Sequence, residues 1–195
     1  MADRWGAEGP PREAYSRVTR DLAAVTAGFA AWLDELPRRL TATYDCMVRE
    51  PAASDLARLG EVSVPLDEVY VVQPADDRSA PLLVARTTHE GGAGVLLRTG
   101  VAIDVGVPGC FCDACDEDSD SLIEQTDEIV SVAVEGCREF RQRYRRSLGQ
   151  RLADGPWLEH GYERPDGGAA RHASASVRGD TFSRVWEPWP RRQAS

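Results

Sequence analysis

Three of the five cysteines in this chain fall within six residues, in Gly109-Cys110-Phe111-Cys112-Asp113-Ala114-Cys115-Asp116-Glu117-Asp118. Thiolates are soft ligands for zinc, and a closed structural zinc site takes four ligands in a tetrahedron. The spacing C-x-C-x-x-C supplies three, so Cys110, Cys112 and Cys115 are the candidate metal ligands and zinc the candidate cofactor. Cys46, His89, His160, His172 or a loop carboxylate is left as the fourth ligand, and the sequence does not choose among them. Cys137 is the tempting fourth. A helix beginning near Asp118 places it about 28 Å away along the axis, beyond the reach of Cys115. It also falls on an apolar stripe, which makes it a core thiol.

The same loop supports other chemistry. Cys112 and Cys115 form a C-x-x-C pair ahead of a helix start, where a thiol pKa falls and redox exchange becomes accessible. Against this, Asp113, Asp116, Glu117, Asp118 and Asp120 crowd the pair and raise it. Plain structural thiols are the third reading. The acids also suggest a calcium loop, but Ser121 stands where the glycine of an EF-hand makes its sharp turn, and Asp127 replaces the bidentate Glu. Acids in the first turn of a helix complement its dipole, and Arg138, Arg141, Arg143, Arg145, Arg146 and Arg151 match the opposite end.

Elsewhere the chemical signals are sparse. His89 sits in a turn with no second His at helical spacing, and His160 lies in an expected strand, Glu159-His160-Gly161-Tyr162. Neither G-x-S-x-G, G-x-x-x-x-G-K nor G-x-G-x-x-G occurs. The reading leans away from an enzyme and toward a binding or interaction protein, with a thiol-redox enzyme using Cys112 and Cys115 as its rival.

Two helices and a sheet must position the loop. Tyr15, Val18, Leu22, Val25, Phe29, Trp32, Leu36 and Leu40 make one helical face, with a break expected at Pro37. A second helix is expected from about Asp118 to Leu148 on the stripe Leu122, Thr126, Ile129, Ala133, Cys137, Phe140, Tyr144 and Leu148. Ser121 and Glu124 form a capping box at its start, and Gly136 is an interior cost of about 1 kcal/mol. Between them Tyr44–Arg49, Val69–Val72, Leu82–Thr88, Val95–Arg98 and Val101–Val105 read as antiparallel strands joined by short turns. Consecutive apolar residues in Leu82-Leu83-Val84-Ala85 predict a strand covered on both faces. Trp157–Glu163 and Ser176–Trp186 are expected to pair around Asp166-Gly167-Gly168.

The predicted architecture is a single α+β domain, an antiparallel sheet packed by two long amphipathic helices. A flexible tail covers 1–11, the domain 12–186, and a carboxyl-terminal tail 187–195. The Trp186-Glu187-Pro188-Trp189-Pro190 stretch is expected to pack back on the domain. At 195 residues the chain can bury enough surface to fold without metal or disulfides. No apolar run approaches the roughly 18 residues of a membrane span. Met1-Ala2-Asp3-Arg4-Trp5-Gly6 lacks a signal-peptide layout, so the expected location is the cytoplasm, where an odd number of cysteines points to thiols or ligands. A net charge of −9 opposes nucleic-acid and anionic-membrane binding and leaves a protein partner or a second copy of the chain. All 23 basic residues are Arg, as in a GC-rich bacterial genome.

The stretch Cys110-Phe111-Cys112-Asp113-Ala114-Cys115-Asp116-Glu117, followed by an acidic helix containing Val134-Glu135-Gly136, resembles an uncharacterised actinobacterial family of similar length. The resemblance covers the central strands, the cysteine loop and the second helix. It implies a domain of unknown function, and hence no reaction. It also implies that the three loop cysteines belong to a family pattern in which Cys46 and Cys137 have no place.

Overall fold

Apolar runs separated by turns of a few residues pair as antiparallel neighbours, because a parallel crossover needs a dozen residues or more. The computed structural model describes residues 9–57, 59, 64–143, 158–174 and 180–193. In it β1 (Cys46–Arg49), β2 (Leu66–Pro74), β3 (Leu82–His89), β4 (Gly92–Thr99) and β5 (Ile103–Val107) form one antiparallel sheet in chain order. His89 pairs with Gly92 across a two-residue turn in which Glu90 and Gly91 both have positive φ, 50° and 84°. Those angles match the right-handed twist of a hairpin. β3 is covered on both faces, as its composition predicts: Leu82 and Val84 belong to the main core, Leu83 and Ala85 to a smaller cluster behind it.

The front face carries the helices. α1 (Leu22–Val25), α2 (Ala27–Thr43) and α4 (Ser119–Glu135) follow a 3-10 turn at Arg12–Ser16, while α3 (Ala53–Ala57) is a short piece after β1. Phe29, Leu33, Leu36 and Leu40 of α2 and Leu122, Ile129, Val130 and Ala133 of α4 share one core with Val72, Val84, Val95 and Leu97 of the sheet. The α+β class and the pairing of two helices on one sheet face stand.

Several boundaries differ from expectation. The first helix does not begin at Tyr15, which is 60% exposed; the chain is extended at Arg17 and enters α1 only after the Asp21 side chain caps Ala24 N. It then breaks at Thr26, whose hydroxyl donates to Leu22 O and accepts from Ala93 N of β4. Pro37 does not end α2, which continues to Thr43 with Leu36 and Leu40 buried on either side of it. Packing outweighs the lost hydrogen bond. Trp32 is half-buried, its ring 5.0 Å from the Arg39 guanidinium.

The largest correction concerns the second helix, which stops at Glu135. Gly136 has φ 77° and ψ 162°, and β6 (Cys137–Arg143) starts at once. Cys137 and Phe140 are buried, but on a strand, with Phe140 under the guanidinium groups of Arg138 and Arg171. Arg138, Arg141 and Arg143 therefore do not neutralise a helix end; Arg145, Arg146 and Arg151 lie outside the described residues. The cap of α4 is Asp118, which accepts from Ser121 N at 2.9 Å, in place of the expected capping box at Ser121.

β6 nucleates a second sheet, ordered β8-β7-β6-β9, with β7 (Leu158–Glu163), β8 (Ala169–Ser174) and β9 (Phe182–Trp186). The turn around Asp166-Gly167-Gly168 joins β7 to β8, while β9 pairs with β6 instead of with β7. Residues 187–193 pack back: Trp189 is buried, its indole donating to Ala80 O, and its backbone N donates to Val134 O. Most of the expected N-terminal tail lies outside the described residues. Among the described residues, no helix is long and apolar enough to cross a membrane.

Candidate metal centre

The loop between β5 and α4 is short of apolar side chains, so polar contacts must hold it. An early segment supplies them. Asp113 N donates to Arg17 O at 2.8 Å and Ala114 N to Ala14 O at 3.2 Å. The buried Asp113 carboxylate accepts from Thr19 N at 3.0 Å and from Thr19 Oγ1 at 2.8 Å. Arg20 donates to Glu117 O at 2.8 Å and to Asp116 at 3.3 Å, and Ser119 Oγ donates to Val25 O at 2.7 Å. Asp113 and Asp116 are thus occupied as struts and Asp118 as the helix cap, which takes up two of the calcium reading's ligands.

Held this way, the loop turns three sulfurs toward one point. Cys110 Sγ lies 3.2 Å from Cys112 Sγ and 2.7 Å from Cys115 Sγ, and Cys112 and Cys115 are 3.5 Å apart. Cys110 and Cys115 are exposed, and Cys112 is buried. Three thiolates on one zinc at 2.3 Å stand about 3.8 Å from each other. The cluster reaches that geometry by opening each pair by about 1 Å or less. So close a set of thiols cannot share charge evenly. The contact with Cys110 lowers the Cys112 pKa against the opposing effect of burial. Cys115 is pushed up to about 12, first by its contact with Cys110 and then by burial. A divalent cation relieves that conflict by letting all three ionise.

The expected fourth ligands do not converge. Cys46 is buried on β1, four strand spacings from β5 and hence about 19 Å across the sheet. Cys137 is buried beyond α4, whose 17 residues alone span about 25 Å, so its exclusion holds although the helix is shorter than expected. His160 and His172 are backbone register partners on β7 and β8 of the second sheet. His89 is nearer, its ring stacked on Phe111 at 5.8 Å. Among the described residues, no histidine, further cysteine or carboxylate joins the three sulfurs within 4.8 Å.

Thr19 and Arg20 are supports of the loop that the sequence did not reveal. They carry no motif, and their partners lie more than ninety residues on. Thr19→Val is expected to lower stability by about 1–2 kcal/mol, the worth of a hydrogen bond to a buried carboxylate. Urea denaturation checks this; an unchanged midpoint would show that Asp113 does not depend on the hydroxyl.

Fold and site together define a two-sheet α+β protein whose sheet-to-helix loop gathers three free thiols. The chain belongs to DUF6226, a family of unknown function, whose sequence profile matches residues 2–193. No curated protein and no solved structure matches it.

Proposed function

We propose that this is a non-enzymatic binding protein in which Cys110, Cys112 and Cys115 hold one zinc ion that fixes the β5–α4 loop. The observation that carries the reading is the convergence of three Sγ atoms within 3.5 Å of one another. Soft thiolate sites select zinc over the harder divalent ions. The thiol-redox alternative rests on the same loop, but its C-x-x-C pair, Cys112 and Cys115, is the widest of the three separations. A cytosolic location suits five unpaired cysteines, and an actinobacterial source suits a basic complement made only of Arg. The three loop cysteines are the natural signature of the family. The partner is another protein or a second copy of the chain, since a net charge of −9 disfavours nucleic acid.

Elemental analysis of protein purified under reducing conditions tests this, with one zinc per chain expected. Chelation should then remove about 2.7 kcal/mol of stability if zinc was present at a hundredfold excess over its Kd. For a chain of this size the melting temperature falls by about 5–10 °C. Thiol counting should rise by three after chelation. Metal-free protein whose melting ignores chelator and whose loop thiols are as reactive before chelation as after it would leave the loop held by hydrogen bonds alone.

A further inference from the structure

The ligand count of the cluster is its most informative property. Every cysteine of the chain is among the described residues, and only three meet; the residues outside that set contain no cysteine and no histidine. His160 and His172 belong to the second sheet, and the His89 ring lies against Phe111 instead of among the sulfurs. A zinc ion with three protein ligands keeps a fourth position for an exchangeable one, as catalytic zinc sites do and closed structural sites do not. Two of the three sulfurs are exposed. Beside them runs a groove of about 690 Å³ whose wall includes Thr87, His89, Leu96, Cys110 and Phe111.

We infer that the metal of this loop has an open fourth position that takes an external, neutral, flat nitrogen donor of the imidazole class. This rests on the zinc reading above and adds to it a ligand. The charge of the site selects the donor. A dication with three thiolates carries a net charge of −1, and Asp113, Asp116 and Glu117 are its neighbours in the loop, so an anionic ligand is repelled while a neutral one is not. Zinc accepts nitrogen as readily as sulfur. The groove that opens on Cys110 offers the stacked faces of His89 and Phe111, which favour a planar aromatic ring over an aliphatic amine. Water holds the position until such a donor displaces it.

Cobalt(II) in place of zinc makes the fourth ligand visible, because its tetrahedral absorption bands respond to each donor. One cobalt per chain should bind, and free imidazole should then shift the visible bands saturably without changing the cobalt content. Azide and acetate should leave them in place. His89→Ala and Phe111→Ala should each weaken imidazole about three- to tenfold, the worth of one aromatic contact, with cobalt stoichiometry unaltered. A blocked Gly-His-Gly tripeptide separates the two sources of the ring: tighter binding than free imidazole assigns the position to a histidine of a partner chain, weaker binding to a small heterocycle. Bands indifferent to imidazole, or shifted equally by azide, overturn the inference while leaving the metal in place. So does a band shift caused by His89→Ala alone, which would make His89 the fourth ligand. Failure of cobalt and zinc to bind at all overturns the metal reading itself.

Discussion

Glu139→Ala is expected to destabilise the protein by about 5 kcal/mol, a third or more of what a domain of this size has to lose. Glu139 is fully buried on β6, yet its carboxylate is not idle. It accepts from Val101 N at 3.0 and 2.8 Å, from Ala102 N, and from the Trp186 indole at 2.8 Å. One side chain of the second sheet therefore pins the β4–β5 turn of the first sheet and the end of β9. Alanine strands two buried donors and the part-buried Val101 N, each buried one at about 1–3 kcal/mol, and leaves a void. Glu139→Gln, which keeps one acceptor but turns a donor toward donors, should fall between the two. Thermal melts should drop by roughly 10–20 °C for the alanine variant. A loss under 1 kcal/mol would mean that the two sheets do not depend on this carboxylate. Gly100 belongs to the same device: with φ 60° it turns directly beside Glu139, where a Cβ would collide with the carboxylate.

Gly136→Ala is the second large effect, expected at about 4 kcal/mol or more. The residue's φ of 77° with ψ of 162° lies in a region that essentially only glycine occupies. A Cβ there would also stand 2.5 Å from Trp186 O and 2.9 Å from Pro188 N, both backbone atoms with little room to yield. Asparagine, which tolerates the left-handed helical region, should rescue nothing, since the strain includes a clash with the strand next door. Denaturation of both variants decides the matter. A near-native midpoint for either would show that α4 can end and β6 begin without the glycine.

Those two residues also mark where the sequence became hard to read. The cysteine loop was legible because its three thiols are neighbours in the chain, and the stripes of α2 and α4 because burial repeats at helical spacing. The end of α4 was not. Cys137 and Phe140 continue the stripe by chance of spacing, and Gly136 reads the same whether a helix tolerates it or stops at it. Only the alternation of exposed Arg138 with buried Cys137 and Glu139 betrays a strand, and a buried Glu contradicts the usual cue. The pairing of β9 with β6 depends on contacts across some forty-five residues, as between Arg138 and Ser183. Thr19 was silent for the same reason. Its role exists only once Asp113 is beside it, 94 positions later.

That separation governs when the thiols can be gathered during synthesis. Closing a loop of 94 residues costs about 4 kcal/mol in chain entropy, and that cost is incurred before the six hydrogen bonds between residues 14–20 and 113–117 can offset it. The intervening β1–β5 meander, made of short-range pairings, has to close that distance first. A ribosome-bound chain released as far as Cys115 therefore carries three unsupported thiols until its first sheet is complete, and their convergence becomes a late event that reports a finished first sheet.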